Sequence, residues 1–372
     1  MDFLPSSVDL QKKLGMKKRS KQGIFFTPKP LRDILFSHLE NITPSSVLEP
    51  SCGSGEFLVD CCSKYPNASL VGVELEPELA VATQSIVPNA SIYNEDFLTW
   101  GMDRKFDLVV GNPPFVQVKA VFPDASVGRS NLYIEFLYKC LTYHLNDGGI
   151  LAMVIPSTIM NGCFSKPTRD LILSKQILFF DTIRNHNFKD TSAGVSILVM
   201  KNTPSSNPRF DFGGILTKQA EGLRRMSSDC RKIKDLDLRL QYGIMTGSLK
   251  DCFSRDPNDV LFILQTDIKQ DEISFDENKR LYIKNRNKTN SGRCLLLSRT
   301  NGVVMGNEYI LKFTMFEAPS FLFDSSMIAV FGRDIDILYK SLSDPRTNVY
   351  IQSICGSGRL TKDIILNLPI FE

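Results

Sequence analysis

The chain has 372 residues, 42% hydrophobic and 23% charged, with 44 basic side chains against 41 acidic ones for a net charge of +3. This is ordinary globular composition, enough for about two domains, and so small an excess of charge permits a nucleic-acid partner without requiring one. Nine scattered cysteines with no C-x-x-C spacing, and three histidines, exclude a disulfide scaffold and disfavour zinc sites and Ser-His-Asp chemistry.

The opening "MDFLPSSVDLQKK" lacks the basic-then-apolar order of a secretory signal, and no apolar run approaches the roughly 20 residues of a membrane span. The expected setting is an intracellular, reducing compartment (cytoplasm or nucleoid, or the nucleus of a eukaryotic host), with no membrane partner and no metal. Residues 1–22 carry the cationic run "KKLGMKKRSK". It reads as a solvated, mobile arm; a phosphate-contacting arm and a nuclear import signal are the sharper alternatives.

From residue 30 the pattern alternates. "PLRDILFSHLE" predicts an amphipathic helix, "SSVLEP" a short buried strand and "GEFLVDCCSKY" a helix. "ASLVGVEL" predicts a strand, and "EPELAVATQSI" a helix whose early acids suit its N-terminus. "KFDLVVG" is a strand, "SNLYIEFLYKCLTYHLND" a long helix and "GGILAMVIP" a strand. "KPTRDLILSK" follows as a helix, with "QILFFDTI" and "AGVSILVMK" as strands. Short apolar strands separated by helices predict an α/β fold, a doubly wound, mostly parallel seven-stranded Rossmann-like sheet. "NTPSSNP" near 202–208 reads as a linker. The expected domains are 23–204 and 209–372, the second smaller, mixed and irregular.

"SVLEPSCGSGEFLVD" is strand, glycine turn, helix, the place where open α/β sheets bind ligands. Gly53 and Gly55 remove side-chain bulk from that turn. Leu58 stands where a dinucleotide fingerprint wants a third glycine, and no Gly-Lys-Ser/Thr follows, so phosphate binding is disfavoured. Glu74 ends the next strand, where a carboxylate can accept from both ribose hydroxyls of a nucleoside. In "NEDFL", Asp96 can accept from an adenine amino group and Phe97 can lie against the purine. A nucleoside held without phosphates points to S-adenosylmethionine.

"VVGNPPFVQ" ends a strand in a stiff corner rich in carbonyls. An exocyclic amine on an aromatic ring is a poor nucleophile because its lone pair is delocalised. Two acceptors placed out of the ring plane draw its nitrogen towards tetrahedral geometry. Asn112 offers a side-chain carbonyl, Pro113 a main-chain one, Pro114 rigidity and Phe115 a stacking face. A base in duplex DNA has to be flipped out to reach such a pocket.

In this order the motifs resemble the gamma-type adenine-N6 DNA methyltransferases, the modification half of type II restriction systems. "QGIFFTPKPL" resembles the segment that closes over the methionine part of the cofactor, "LEPSCGSGEFL" the cofactor loop, "VGVELEP" the ribose acid and "NEDFLTW" the adenine contact. "GNPPF" resembles the catalytic tetrapeptide, with Phe115 where Tyr is commonest, and "NHNFKDTSAGVSILVMK" the target-base loop. The resemblance implies a cofactor site of Thr27, Glu49, Pro50, Cys52, Gly53, Gly55, Glu74, Leu75, Asp96, Phe97 and Asn112. It makes Phe188 a second aromatic contact to the flipped adenine. More weakly, "YGIMTGSLKDCF" and "ICGSGRLTKDIILNLPI" resemble the two ends of the family's target-recognition domain.

In that region "ENKRLYIKNRNKTNSGR" offers Lys279, Arg280, Lys284, Arg286, Lys288 and Arg293 as contacts to double-stranded DNA, against the plainer reading of a solvated loop. No nuclease-like carboxylate cluster stands out, so a cognate restriction endonuclease would be a separate chain. The corner can hold any planar amino group, so RNA or a protein glutamine amide stays open as substrate, as does a catalytically silent DNA-binding relative.

Overall fold

The computed structural model describes residues 3–101, 103–183, 194–269, 272–276, 278–284, 288–299, 311–356 and 359–371. The chain divides into two compact units, Met1–Gly222 and Leu223–Glu372.

The first unit opens with α1 (Pro5–Gln22), broken at Gly15, and α2 (Lys29–Ser37). Then come β1 (Ser46–Glu49), α3 (Glu56–Lys64), β2 (Ser69–Val73), α4 (Pro77–Ile86), β3 (Ser91–Tyr93) and β4 (Phe106–Gly111). A small hairpin, β5 (Gln117–Lys119) and β6 (Arg129–Asn131), precedes α5 (Leu132–Lys139), which runs on as a π-turn over Cys140–His144. The unit continues with β7 (Leu145–Pro156), α6 (Lys166–Leu173), β8 (Lys175–Ile183), β9 (Val195–Pro204), β10 (Asp211–Phe212) and β11 (Ile215–Leu216).

Seven strands form one sheet in the order β3-β2-β1-β4-β7-β9-β8. The pairs from β3 to β7 are parallel, and β9 is antiparallel to both β7 and β8. This is the expected doubly wound sheet. Its central strands are apolar throughout because both faces are covered: Val47, Leu108, Val110, Ala152 and Val154 lie in the core on one face, with Leu48, Val109, Leu151 and Met153 on the other.

Two expectations change. The cationic N-terminal segment is not a mobile arm. It is helix α1, with Leu14 buried against Phe26 and Leu79, and with Lys18 and Lys13 paired to Glu76 (2.6 Å) and Glu78 (3.3 Å). Nor is "NTPSSNP" a linker. Asn207 is buried, its amide donating to the carbonyls of Leu173 and Lys175 and its oxygen accepting from Ile177 N (3.0 Å). Phe210 and Leu216 beyond it join the first core, so that unit extends to residue 222. A polar, proline-bearing composition looks the same whether the Asn points to water or satisfies strand ends.

Helix α7 (Ala220–Ser227) leads into the second unit. There β12 (Leu238–Tyr242), β13 (Phe253–Ser254), β14 (Val260–Ile263), β15 (Leu281–Ile283), β16 (Asn290–Ser298), β17 (Phe313–Phe323) and β18 (Met327–Gly332) form a second seven-stranded sheet. Its order is β12-β18-β16-β17-β14-β15-β13, antiparallel except for β14 beside β17. Helices α8 (Ile335–Ser343), α9 (Pro345–Ile354) and α10 (Lys362–Leu366) complete it. No helix among the described residues is long and apolar enough to cross a membrane.

Candidate active site

A cleft of about 970 Å³, counted to its open mouth, lies in the first unit at the carboxyl ends of β1, β2, β3 and β4. The glycine loop, the ends of β2 and β3, the Asn-Pro-Pro corner and the segment between α1 and α2 all line it. Those segments are far apart in sequence, and parallel strand order brings their C-terminal ends together.

The two loop glycines have different tasks. A Cβ on Gly53 meets nothing within 4 Å, so the backbone is open there; a Cβ on Gly55 lies 2.9 Å from Thr83 Cγ2, so Gly55 lets α3 pack on α4. The loop is held by Thr83 Oγ1 donating to Gly53 O (2.8 Å). Glu74 is buried and accepts from Gly53 N and Glu76 N, both at 2.8 Å, one on each oxygen. Burial raises its pKa.

Asp96 is exposed at the cleft edge, and its Oδ1 accepts from Leu98 N (2.9 Å). Phe97, expected against a purine face, is only 2% exposed, packed on Phe136 at a centroid distance of 4.9 Å. It lines the cleft with Leu98 and with Leu75, which is 59% exposed. Pro50 and Cys52 also line the cleft, Cys52 with its thiol buried.

Asn112 shows the most specific geometry. Its Nδ2 donates to Phe25 O (2.9 Å) and Thr27 Oγ1 (3.0 Å). A carbonyl can only accept, so the amide nitrogen is fixed on that side and Oδ1 on the other. That Oδ1 is buried and has no partner. Pro113 is buried behind it, and Pro114 lines the cleft. The Phe115 ring sits 5.6 Å from Phe25 and edge-on to Tyr133 at 6.3 Å.

The segment carrying Phe25 and Thr27 is itself anchored. Arg32 on α2 is buried, donates to Thr27 O (2.6 Å) and pairs with Glu56 (2.9 Å) and Asp60 (2.6 Å) on α3. Gly23, the αL residue after α1 (φ 69°), lies against the corner: a Cβ there would stand 2.8 Å from Phe115 N. Sequence reading missed Gly23, Phe25 and Arg32. The glycine before "IFFTP" was the available signal.

Glu49 is 2% exposed, and its Oε2 has no partner. Burial first, and then the charge of Glu74, holds its pKa well above the ordinary carboxylate value, against the lowering effect of Arg32. An acid whose folded pKa is raised stabilises the fold below its unfolded pKa, about 4.3, and loses that contribution as pH rises towards the folded value. Glu49→Gln is therefore expected to resist urea better than the parent at about pH 8, with a smaller difference at about pH 5. Fluorescence of Trp100, the single tryptophan, reports this unit. An equal difference at both pH values would contradict an unfavourably buried Glu49 carboxylate.

Phe188 and Arg286 lie outside the described residues, as does most of the expected target-base loop. In the second unit part of the basic stretch lies beside acids or a ring in exposed surface contacts. Arg293 holds Asp336 through two nitrogens (2.9 and 2.6 Å), Lys279 pairs with Asp276 (2.9 Å), and Arg280 lies over Phe275 at 4.5 Å. Lys284 and Lys288 remain exposed. Lys288 lines a polar concavity of about 890 Å³ with Arg239, Gln241, Tyr242 and Asn290, residues not singled out from sequence.

A family profile described as Eco57I restriction-modification methylase matches residues 74–185, the span from Glu74 through the Asn-Pro-Pro corner. Type II methyltransferase M.CvrRI of Paramecium bursaria Chlorella virus XZ-6E is 35% identical over 99% of this chain and 99% of its own. The chain belongs to the type II restriction-modification DNA methyltransferases. Modification methylase CviBIII of Paramecium bursaria Chlorella virus NC1A is similar to this methyltransferase at 34% identity over 98% of both. Type II methyltransferase M.AccI of Acinetobacter calcoaceticus is 24% identical over 52% of this methyltransferase and 39% of its own length.

Proposed function

We propose that this methyltransferase transfers a methyl group from S-adenosylmethionine to the exocyclic N6 of an adenine turned out of duplex DNA. The observation that carries the reading is Asn112 Oδ1, a buried acceptor without a partner, fixed in orientation by Phe25 O and Thr27 Oγ1. Such an atom is unfavourable in the free protein and becomes satisfied when a donor N–H arrives.

The cleft suits the cofactor in three places. Glu49 has an unpartnered buried oxygen, which a cationic amine would neutralise. Glu74 stands at the end of β2 with a free lone pair left on each oxygen, in reach of vicinal hydroxyls. Asp96 is an exposed acceptor for an amino group. When bound, the cofactor supplies an electrophilic methyl on sulfur. The chain's own part is positioning: Asn112 Oδ1 and the Pro113 carbonyl take the two hydrogens of the target amine, and Phe115 holds its ring by stacking, worth roughly 1–3 kcal/mol. Phe188 would be the second stacking face.

The second unit chooses the site in this reading. Lys284 and Lys288 contact phosphates, and Gln241 and Asn290 carry the paired donor and acceptor that read adenine edges. Lys279, Arg280 and Arg293 are on the same stretch, and their exposed partners can give way to phosphates. Near full-length likeness to type II enzymes favours DNA over RNA or a glutamine amide. The test is tritiated cofactor offered with duplex DNA, RNA and protein, followed by mapping of modified adenines in DNA from expressing cells. Label in DNA at N6 is expected. Label confined to RNA or protein, or methyl groups on another atom, would overturn the reading.

A further inference from the structure

The hairpin that follows the catalytic corner carries an arrangement that sheet stability disfavours. Gln117 pairs with Asn131, Val118 with Ser130 and Lys119 with Arg129. Side chains alternate along a strand, so Gln117, Lys119, Arg129 and Asn131 share one face, and Val118 and Ser130 the other. Ser130 is buried, while Gln117, Lys119 and Arg129 are exposed. Two cations directly opposite each other repel and weaken the ribbon.

Among the described residues no acid pairs with them. Glu135 is turned inward, its Oε2 accepting from Val121 N (3.2 Å) and Phe122 N (2.9 Å). Asp124, the acid between the strands, forms an ion pair with neither cation among the described residues. The hairpin is nonetheless well anchored: Leu132 N donates to Val116 O (2.8 Å), Val127 N to Phe164 O (3.0 Å) and Thr168 Oγ1 to Ala125 O (2.7 Å). A rigid ribbon thus holds two uncompensated positive charges together, starting two residues after Phe115.

We infer that Lys119 and Arg129 clamp one backbone phosphate of the DNA beside the target base, a contact that rests on the substrate reading above. A phosphodiester presents two anionic oxygens. The Arg fork can take one or both and the Lys ammonium completes the clamp. The anion removes the like-charge repulsion, so the pair is favourable only in the complex. Gln117 and Asn131 on the same face add neutral hydrogen-bonding groups next to the clamp.

The test uses the full chain and a duplex carrying the mapped modification site. Binding is measured from low to high salt for the parent, Lys119→Ala, Arg129→Ala and the double variant. One phosphate contact contributes about 0.9 to the slope of log affinity against log salt, so the double variant should lose about one unit, not two, and bind roughly fivefold more weakly at about 0.15 M salt. A neutral methylphosphonate stepped through the phosphates around the target should weaken the parent at one position and leave the double variant indifferent there. The thermal midpoint should hold or rise, because removing repelling charges relieves the ribbon.

A parental salt slope in the double variant, or a midpoint that falls while the slope stays, would overturn the clamp. So would a methylphosphonate scan with no position at which parent and variant differ. If tritium never enters DNA, the substrate reading fails. If tritium enters DNA but the slope is unchanged, only the clamp fails.

Discussion

Asn112→Ala is expected to lower the single-turnover rate of methyl transfer by roughly a hundred- to thousandfold while leaving cofactor affinity near the parental value. Removing one preorganised polar group that acts on developing charge costs about that much elsewhere. The side chain loses the unpartnered Oδ1 that would draw an amine hydrogen out of its ring plane. It also loses Nδ2, leaving Phe25 O and Thr27 Oγ1 without their donor, so modest destabilisation accompanies the kinetic loss. Asn112→Asp separates the two effects. It keeps the shape but offers no N–H to Phe25 O, and its second oxygen repels that carbonyl. Rapid-quench transfer and calorimetry with the cofactor make the comparison. A folded Asn112→Ala protein that no longer bound cofactor, or that methylated at the parental rate, would remove Asn112 from the amine-gripping role.

Much of the first unit was legible because its signals are local. "SVLEPSCGSGEFL" states a strand, a glycine-bearing turn and a helix within thirteen residues, and apolar strands of this kind have few alternatives to a covered parallel sheet. The Asn-Pro-Pro corner was legible for the same reason: proline fixes backbone geometry at its own position. What stayed hidden depends on partners distant in sequence. Nothing near Asn112 shows that Thr27, 85 positions earlier, fixes its amide. Phe97 reads as a stacking face, and its packing on Phe136 shows only in the fold. Nor does the sequence place Asp336 beside Arg293, 43 positions away. A run of basic residues records composition, while availability to DNA depends on which acids the fold brings near.

Lys139→Met is expected to cost the first unit about 3–5 kcal/mol. Lys139 ends α5 and is 6% exposed. Its ammonium donates to three carbonyls, Phe97 O (2.5 Å), Leu98 O (3.2 Å) and Trp100 O (2.7 Å), and lies 4.9 Å over the Phe97 ring. Burial lowers its pKa, yet a methionine of similar length fills the space without any donor, so three carbonyls lose their partner at once. The same turn presents Asp96 to the cleft, so cofactor affinity should fall together with stability. That coupling sets this lysine apart from an ordinary core residue. Urea unfolding followed through Trp100, itself in the turn, measures the first effect, and calorimetry on the folded protein the second. Lys139→Arg retains the charge and should recover part of the stability but less of the affinity, because the larger guanidinium has to displace the turn to reach the same carbonyls. A Lys139→Met protein within about 0.5 kcal/mol of the parent, inside the range of neutral surface changes, would mean that the turn holds itself and the ammonium only fills space.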